Sequence, residues 1–435
     1  MIEALAATIA GKIARHQARR FMRFDDKPGD WPPRAAVPEH VRQLYIHIPF
    51  CPQLCPFCTF HRVRYQADRI ENYYIALRRE LAWYHDRGYR FTRLYVGGGT
   101  PTVDVDALVS LLDDVRRQFP VTEISVETNP RDLTEPVLRT LERAGVNRLS
   151  VGVQSFDDDQ LRRMGRYDTY GSGAQIRERL AATQGRFATL NVDMMFNLPG
   201  QTPASLNADL DTLANQLAVD QISYYPLMVA PAAQLSIHAQ MARGTGKDTA
   251  GRERAYYRLI REVLTPTYGM GSAWCFTRGT GAIDEYIVDE EDYVGTGSGA
   301  FSYVAGVASS TTFSIHGYQE RMANGQSPIM QARQLGRMEQ MRYDFLAKLF
   351  GLRMDKSAIE RKYDGRFAKT LRMEITACRL LGFIEDTGTS YELKERGMYV
   401  WVVLMREFLT AVNNLRADMR HHIRDELRQL EEEPE

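Results

Sequence analysis

The sequence predicts an α/β fold: a partial or full parallel (β/α) barrel, followed by a small C-terminal helical and winged-helix-like domain. Two observations lead to this prediction. Six short runs rich in β-branched and aromatic residues alternate with helical patterns between about residues 41 and 230, and such alternation is typical of parallel sheets with crossover helices. Residues 340–397 have helical patterns and end in FIEDTGTSYELKERG, a turn-and-strand pattern typical of a winged helix.

The predicted barrel elements follow one another in a regular order. The six strand segments are RQLYIHIPF, RLYVGGG, EISVETNP, RLSVGVQSF, TLNVDMMFNLP and QISYYPLMV. Helical patterns lie between them, for example over 71–87 and from residues 105, 135 and 203. Folds of this kind place their chemistry at the carboxyl ends of the strands, where we expect the functional site.

The sequence divides into three predicted regions. Residues 1–40 form a helical and extended lead-in, 41–325 the barrel with loops over its mouth, and 330–435 the C-terminal domain. After about Pro231 the regular alternation stops, and glycine-rich and acidic segments are interpreted as loops over the barrel. The last helix, from about Met398, carries an apolar stripe at three- to four-residue spacing.

Composition and charge exclude several classes of protein. Lys plus Arg and Asp plus Glu number 55 each, so the net charge gives no reason to expect nucleic acid as a partner. No secretory signal is recognised, and no apolar stretch approaches the roughly 20 residues of a membrane span. Three of the five cysteines fall within eight residues, which favours metal binding in a reducing compartment. We therefore expect a cytoplasmic protein.

The cysteine cluster lies in YIHIPFCPQLCPFCTF, directly after the first predicted strand. Thiolates of Cys51, Cys55 and Cys58 on one short loop can bind three irons of a [4Fe-4S] cubane, whereas structural zinc normally takes four protein ligands. A zinc site completed by Cys275 or a histidine is the alternative. With three thiolates, one iron of a cubane stays open to a chelating small molecule.

CPQLCPFC resembles the CxxxCxxC motif of radical S-adenosylmethionine (SAM) enzymes. From about Val41 to Ser302 the chain is similar to the oxygen-independent coproporphyrinogen III oxidase group, which also includes heme chaperones, class C radical methyltransferases and heme-degrading enzymes. The resemblance implies a [4Fe-4S] cluster on the three cysteines and SAM chelated to the open iron. It also implies one-electron cleavage of SAM to a 5′-deoxyadenosyl radical, with an electron donor such as flavodoxin or ferredoxin.

The segment YVGGGTPT ends a predicted strand with three glycines, which allow a ligand to approach the backbone closely. The resemblance implies that the methionyl ammonium of SAM lies against Gly98, Gly99 and Thr100. It places Tyr45 and Phe57 beside the cluster and the adenine.

Further cofactor contacts are predicted at the ends of later strands. Glu127 in ISVETNP can bind the ribose hydroxyls or the ammonium, and the resemblance assigns cofactor contacts to Gln154 and Arg166. Asp193 lies among apolar residues in a predicted strand, where a charge needs a partner; the ribose or Arg166 would provide it. His47 is interpreted as a hydrogen-bonded packing residue rather than an iron ligand.

The chain departs from its relatives at two places. Phe60 occupies the position where the oxidases carry a further Cys, and DEYIVDEEDY precedes VGTGSGA where the heme chaperones carry an HNxxYW signature. Aromatic and charged residues of this region are predicted to form a substrate lid: Trp274, Phe276, Arg278, Asp284, Glu285 and Tyr286. Six acids between 284 and 292 would repel a polycarboxylate if they lined the barrel mouth, which favours an uncharged or cationic substrate.

These departures predict an enzyme that methylates or otherwise modifies a small unsaturated or tetrapyrrole-like substrate other than coproporphyrinogen III. Methyl transfer would use a second SAM, so one or two molecules are expected. The alternatives are a heme-binding, chaperone-like carrier and a coproporphyrinogen III dehydrogenase.

Overall fold

The structure is a computed structural model, and it describes residues 2–24, 40–228, 249–279 and 292–431. The strands are β1 (Gln43–Ile48), β2 (Phe50–Cys51), β3 (Val63–Arg64), β4 (Arg93–Gly98), β5 (Glu123–Thr128), β6 (Arg148–Gln154), β7 (Thr189–Phe196), β8 (Gln221–Pro226), β9 (Gly269–Met270), β10 (Cys275–Thr277), β11 (Tyr293–Thr296), β12 (Phe301–Val304), β13 (Val307–Thr311), β14 (Ile329–Gln334), β15 (Arg353–Asp355), β16 (Ile384–Asp386) and β17 (Ser390–Leu393).

The α-helices are α1 (Ile2–Phe21), α2 (Ala67–Asp86), α3 (Val105–Gln118), α4 (Glu135–Arg143), α5 (Asp158–Arg163), α6 (Tyr167–Tyr170), α7 (Gly173–Thr183), α8 (Pro203–Asp211), α9 (Thr249–Leu264), α10 (Ile315–Ala323), α11 (Arg337–Phe350), α12 (Lys356–Lys362), α13 (Phe367–Thr370), α14 (Arg372–Leu380), α15 (Glu395–His422) and α16 (Arg424–Glu431). No helix in the described ranges is long and apolar enough to cross a membrane.

The centre of the molecule is a twelve-stranded sheet in the order β14-β13-β12-β11-β1-β4-β5-β6-β7-β8-β10-β9. The six predicted strands are adjacent and parallel in it, as β1 and β4 to β8. Strand β11 joins β1 in parallel, and antiparallel strands extend the sheet at both ends. The α/β prediction is confirmed, and among the described strands the barrel is open, hence partial.

The parallel strands alternate between two kinds of side chain. On β7, Leu190, Val192 and Met194 are fully buried in the apolar core, whereas Asp193 and Met195 line a cavity on the other face. Parallel strands covered on both faces are usually apolar throughout. The alternation therefore shows that one face packs under helices while the other surrounds an interior cavity.

The two ends of the chain meet beside this cavity. Helix α1 packs along α15, and Arg15 donates from Nε and Nη2 to the two carboxylate oxygens of Glu407, at 2.7 and 3.0 Å. Phe21, at the end of α1, contacts Phe408 of α15 edge to face, with ring centroids 5.5 Å apart. Helix α15 begins at Glu395, three residues before the predicted Met398.

The C-terminal part contains helix α11, strand β15, helices α12 to α14 and strands β16 and β17. Its strands form a small sheet in the order β15-β17-β16, in agreement with the winged-helix pattern expected from sequence. Strand β14 (Ile329–Gln334) pairs with β13 in the main sheet. The main sheet therefore extends past residue 325, where the barrel region was expected to end, because β14 continues the antiparallel pairing that begins at β11.

A buried carboxylate secures the turn that follows β6. Asp209 of α8 accepts hydrogen bonds from Phe156 N and Ser155 Oγ, both at 2.8 Å. Burial raises the pKa of Asp209 from 3.8 to about 7. The preceding residue, Gln154, has φ 76°, a left-handed conformation that a non-glycine residue keeps only when its surroundings impose it.

The raised pKa of Asp209 predicts a pH dependence of stability. The folded chain binds the proton more tightly than the unfolded chain, so this contribution to the free energy of unfolding falls as pH rises from about 4 to about 7. We expect Asp209→Asn, which cannot titrate, to reduce that slope in urea unfolding of the cluster-free protein. The control is Asp211→Asn, because hydrogen bonds from Asn215 and Gln216 lower the pKa of Asp211 instead of raising it. Equal slopes in the Asp209→Asn and unsubstituted proteins would contradict the prediction.

Candidate cofactor site

A cavity of about 430 Å³ lies at the carboxyl ends of the parallel strands. All twelve side chains or glycines that the sequence placed in the cluster and cofactor site line this cavity. They are Tyr45, Cys51, Cys55, Phe57, Cys58, Gly98, Gly99, Thr100, Glu127, Gln154, Arg166 and Asp193. The structure thus brings together residues from the cysteine loop and β2, from the ends of five parallel strands and from the start of α6.

The cysteine loop wraps around an arginine. Cys51 and Cys55 are buried and Cys58 is partly exposed. Arg62 donates from Nη2 to the backbone oxygens of Cys55 and Cys58, the latter at 3.3 Å. Tyr65 N donates to Cys51 O at 2.9 Å, which closes the loop at its base. The positive guanidinium therefore holds the backbone that carries two of the three thiols.

The C-terminal helix α15 covers the same loop from outside. Arg420 donates from Nη1 to Phe60 O at 3.4 Å and to Arg62 O at 3.0 Å. Arg416 lies over the ring of Phe60, 4.9 Å from its centroid. A helix more than 350 residues from the cysteine loop thus fixes the position of that loop.

The thiols fit an iron-sulfur cluster better than a single metal ion. Burial and the neighbouring Cys58 raise the pKa of Cys51 to about 12, so its thiolate needs a bound cation. No three His, Cys, Asp or Glu side chains in the described ranges could share one ion, whereas a cubane takes one thiolate per iron. The predicted zinc alternative takes Cys275 or a histidine as a further ligand. Cys275 is buried in β10 and is not among the described residues that line the cavity, and His47, which lines it, has both ring nitrogens in hydrogen bonds.

The three glycines at the end of β4, Gly97 to Gly99, are closely surrounded by protein atoms. A Cβ would lie 2.6 Å from a carboxylate oxygen of Glu127 at Gly97, 2.5 Å from the His47 ring at Gly98, and 2.6 Å from Phe50 O at Gly99. Gly98 N donates to Glu127 Oε2 at 2.9 Å. The glycines were expected to admit a ligand; the structure shows that packing of the strand ends already requires them.

Arg166 is buried and reaches across the cavity wall. It donates from Nη1 to Cys55 Sγ at 3.4 Å, and from Nη2 to Asn129 Oδ1 at 2.8 Å and to Gly152 O. Asp193 accepts hydrogen bonds from Ser150 Oγ at 2.9 Å and Asn191 Nδ2 at 2.8 Å. Asp193 was expected to pair with the ribose or with Arg166. Arg166 instead donates to Cys55, Asn129 and Gly152, while Asp193 accepts from Ser150 on β6 and from Asn191 on its own strand.

His47 is held by two hydrogen bonds. Its Nε2 lies 2.8 Å from His61 O and must carry the proton, because a carbonyl only accepts. Its Nδ1 therefore accepts from the Tyr45 hydroxyl at 2.9 Å, and burial lowers the pKa of His47 to about 4. Both ring nitrogens are occupied, in agreement with the packing role predicted for this residue.

The mouth of the cavity is aromatic, and most of its rings come from segments outside the lid that the sequence predicted between Trp274 and Phe301. The rings come from α1 and the residues after it, from the cysteine loop, from β11 and β12, and from α11 and α15: Phe21, Phe24, Phe60, Tyr293, Phe301, Tyr303, Tyr343 and Phe408. Phe408 had been interpreted as part of an apolar packing stripe, and no local motif marks Phe21 or Phe24. Only the packing of α1 against α15 brings these residues to the site.

The predicted lid is described only in part. Trp274 lines the cavity, Phe276 is buried in the core, and Arg278 lies over the ring of Tyr268. Asp284, Glu285, Tyr286 and the acids at 289–291 fall outside the described residues. Asp292 accepts a hydrogen bond from Ala305 N and is not among the described residues that line the cavity.

Comparison with known proteins agrees with this geometry. Residues 45–213 match the family model of the Radical SAM superfamily. The chain carries a radical SAM domain. It is 27% identical to the heme chaperone HemW of Bacillus subtilis over 347 residues, 76% of this chain and 88% of HemW. It is 35% identical to the oxygen-independent coproporphyrinogen III oxidase of Bradyrhizobium diazoefficiens over 192 residues, 42% of each chain.

Among solved structures, coproporphyrinogen III oxidase (HemN) from Escherichia coli has the same fold. The TM-score is 0.72 at 23% sequence identity, over 89% of this chain and 95% of HemN. This likeness extends beyond the radical SAM domain to the C-terminal helices, and it supports the fold alone.

We expect Cys51→Ala, Cys55→Ala and Cys58→Ala each to abolish the cluster, because each thiolate would ligate one iron. Cys275→Ala and Cys378→Ala are matched controls and should retain about four irons per chain after anaerobic reconstitution. Iron, sulfide and zinc analysis with visible absorption measures the outcome. Loss of the cluster in Cys275→Ala, or stoichiometric zinc in protein purified without oxygen, would contradict the assignment.

Asp193→Ala is expected to weaken SAM binding by about ten- to a hundredfold, since a charged hydrogen bond contributes about 1.5–3 kcal/mol. Iron content should stay near that of the unsubstituted protein, because Asp193 is bonded to Ser150 and Asn191 rather than to a cysteine. Anaerobic equilibrium binding measures the affinity.

The matched variant Asp193→Asn keeps the shape and removes the charge, and should lose part of the affinity. Arg166→Ala is less suitable as a test, because Arg166 also donates to Cys55 Sγ. Unchanged affinity in Asp193→Ala would mean that SAM does not contact this carboxylate.

Proposed function

We propose that this protein is a radical SAM enzyme that modifies a conjugated, tetrapyrrole-like substrate. A [4Fe-4S] cluster on Cys51, Cys55 and Cys58, with SAM bound to it, would supply a 5′-deoxyadenosyl radical by reductive cleavage. The observation that carries this proposal is the convergence of the twelve predicted residues on one cavity. An electron donor such as flavodoxin or ferredoxin would provide the electron.

The part of the cavity lined by Glu127, Arg166 and Asp193, here called its inner half, is suited to orient a charged nucleoside. Glu127 and Asp193 offer carboxylate oxygens that can accept from an ammonium or from ribose hydroxyls. Arg166 supplies a fixed positive charge beside Cys55. The aromatic rings at the mouth limit the access of water, which protects a reactive intermediate from side reactions.

The aromatic mouth, here called the outer half of the cavity, has a lining that favours a flat substrate with an anionic group. Its lining is aromatic and aliphatic, and Arg416 projects from α15 among these rings. The guanidinium lies 4.9 Å from the centroid of Phe60 and 5.3 Å from that of Phe301, and Nη1 donates to Asn413 Oδ1. A planar guanidinium binds carboxylates well. The acids that favoured an uncharged or cationic substrate lie mostly outside the described residues.

Heme transport is the second candidate function. It is supported by similarity to proteins named heme chaperones, which spans 88% of the Bacillus subtilis protein. The aromatic mouth would also suit a flat macrocycle. The absence of the HNxxYW signature favours the enzyme, since DEYIVDEEDY, from Asp284 to Tyr293, stands in that place.

The number of SAM molecules and the compartment remain part of the proposal. Methyl transfer would require a second SAM, whereas other radical modifications require one. The five cysteines are free thiols, which supports the expected cytoplasmic, reducing compartment.

The decisive experiment incubates reconstituted protein anaerobically with SAM, titanium(III) citrate and a cell extract. We expect 5′-deoxyadenosine, together with a mass change in an extract compound that depends on SAM. Coproporphyrinogen III is supplied in parallel, and efficient loss of two of its carboxyl groups would identify a dehydrogenase instead. Stoichiometric heme binding that proceeds without any compound changing mass would identify a carrier.

The variant Arg416→Met tests whether Arg416 binds the anionic group of the substrate, because it removes the charge and keeps a long side chain. It should form 5′-deoxyadenosine at the unsubstituted rate when no substrate is present, because Met keeps an apolar side chain over the ring of Phe60, where Arg416 lies. Turnover of the anionic substrate should require a higher concentration. An unchanged KM would show that Arg416 does not contact the substrate.

A further inference from the structure

A buried chain of hydrogen bonds connects two of the cluster cysteines. Arg166 donates to Cys55 Sγ at 3.4 Å and to Asn129 Oδ1 at 2.8 Å. Asn129 Nδ2 donates to Thr100 Oγ1 at 2.8 Å, and Thr100 Oγ1 donates to Cys51 Sγ at 3.6 Å. Asn129 follows Glu127 by two residues and is not among the predicted site residues.

The direction of each hydrogen bond follows from the chemistry of the groups. A guanidinium has only donors, so the atom of Asn129 that faces Arg166 must be the amide oxygen. The amide nitrogen then faces Thr100 and occupies its hydroxyl as an acceptor. The single hydroxyl proton of Thr100 must point elsewhere, and Cys51 Sγ is the acceptor within reach.

Burial makes this arrangement rigid. Thr100 is completely buried, and Asn129 and Arg166 are 8% and 4% exposed. Solvent therefore has little access to the three side chains, and reversing one hydrogen bond would require the others to reverse. The amide of Asn129 thus determines whether the Thr100 hydroxyl donates to sulfur.

We infer that Asn129 is a positioning residue that raises the reduction potential of the cluster by directing the Thr100 hydroxyl proton to Cys51 Sγ. Hydrogen bonds to cysteine sulfur are one of the factors that set iron-sulfur potentials, because they stabilise the more negative, reduced state. The inference rests on the proposed function, since it requires a cluster on Cys51.

The substitution Asn129→Asp nearly keeps the shape of the side chain, but it replaces the amide nitrogen that donates to Thr100 with an oxygen that can only accept. A carboxylate only accepts, so the Thr100 hydroxyl would turn to Asp and leave Cys51 Sγ. The potential should become more negative for two reasons: the sulfur loses a hydrogen bond, and a negative charge is added. A double-mutant cycle with Thr100→Val separates these two effects.

The experiment measures the cluster midpoint potential by anaerobic titration followed by electron paramagnetic resonance, with iron content and SAM affinity as further readouts. We expect Thr100→Val to lower the potential and Thr100→Ser, which keeps the hydroxyl, to retain it. The shift caused by Asn129→Asp should be clearly smaller in Thr100→Val protein than in protein with Thr100. Equal shifts in the two backgrounds would overturn the inference.

If the Asn129→Asp protein does not hold a cluster, the same potentials are measured for Asn129→Ala, with Thr100 and with Thr100→Val. It should lower the potential when Thr100 is present and leave it unchanged in Thr100→Val protein; any other pattern would reject the role of Asn129. Failure of the unsubstituted protein to form a cluster would instead reject the proposed function. The potentials of the variants thus test the role of Asn129, whereas cluster formation in the unsubstituted protein tests the proposed function.

Discussion

The arrangement of the site depends on the pleat of six parallel strands. Successive side chains of a strand point to opposite faces, and each of these strands uses one face for apolar packing under the helices. On β5, for example, Val126 is fully buried in the core while Glu127 lines the cavity. The polar face would be unstable in a closed apolar interior, so it surrounds a cavity whose groups bond to each other or to a ligand.

This constraint explains why hydrogen bonds in the site run between strands. Ser150 and Asn191 come from two adjacent strands and both donate to Asp193, while Asn191 accepts from Ser223 on the next strand. Ser150, Asn191, Asp193 and Ser223 thus bond to one another along β7 and across to its two neighbouring strands. The carboxylates are oriented before any cofactor binds, which reduces the ordering that binding requires.

The cavity is completed by the two ends of the chain rather than by the barrel. Glu407 of α15 binds both Arg15 of α1 and Arg406, and Arg406 also pairs with the buried Glu253 of α9. Asn197, at the end of β7, donates to Glu253 at 3.3 Å. Removing one partner of a largely buried ion pair such as Arg406–Glu253 leaves an unpaired charge at a cost of about 3–5 kcal/mol, whereas Arg15 is 56% exposed and its pair with Glu407 contributes less. The network therefore specifies one position for α1 and α15.

The local parts of the protein could be predicted from its sequence. The cysteine spacing, the glycine run and the strand-end residues are each contained in a short segment, and the period of two along the strands determines which side chains share a face. These signals were sufficient for the parallel sheet, for the cluster loop and for twelve of the residues that line the cavity.

The contacts between distant segments were decided only by the tertiary structure. Arg15 and Glu407 are 392 residues apart, and nothing in either segment identifies the other as its partner. The same holds for Phe21 at the mouth and for Asn129, whose role depends on Arg166 and Thr100 approaching it from two other elements. Sequence patterns report the period and chemistry of one element, whereas hydrogen bonds and ring contacts between elements depend on how those elements pack.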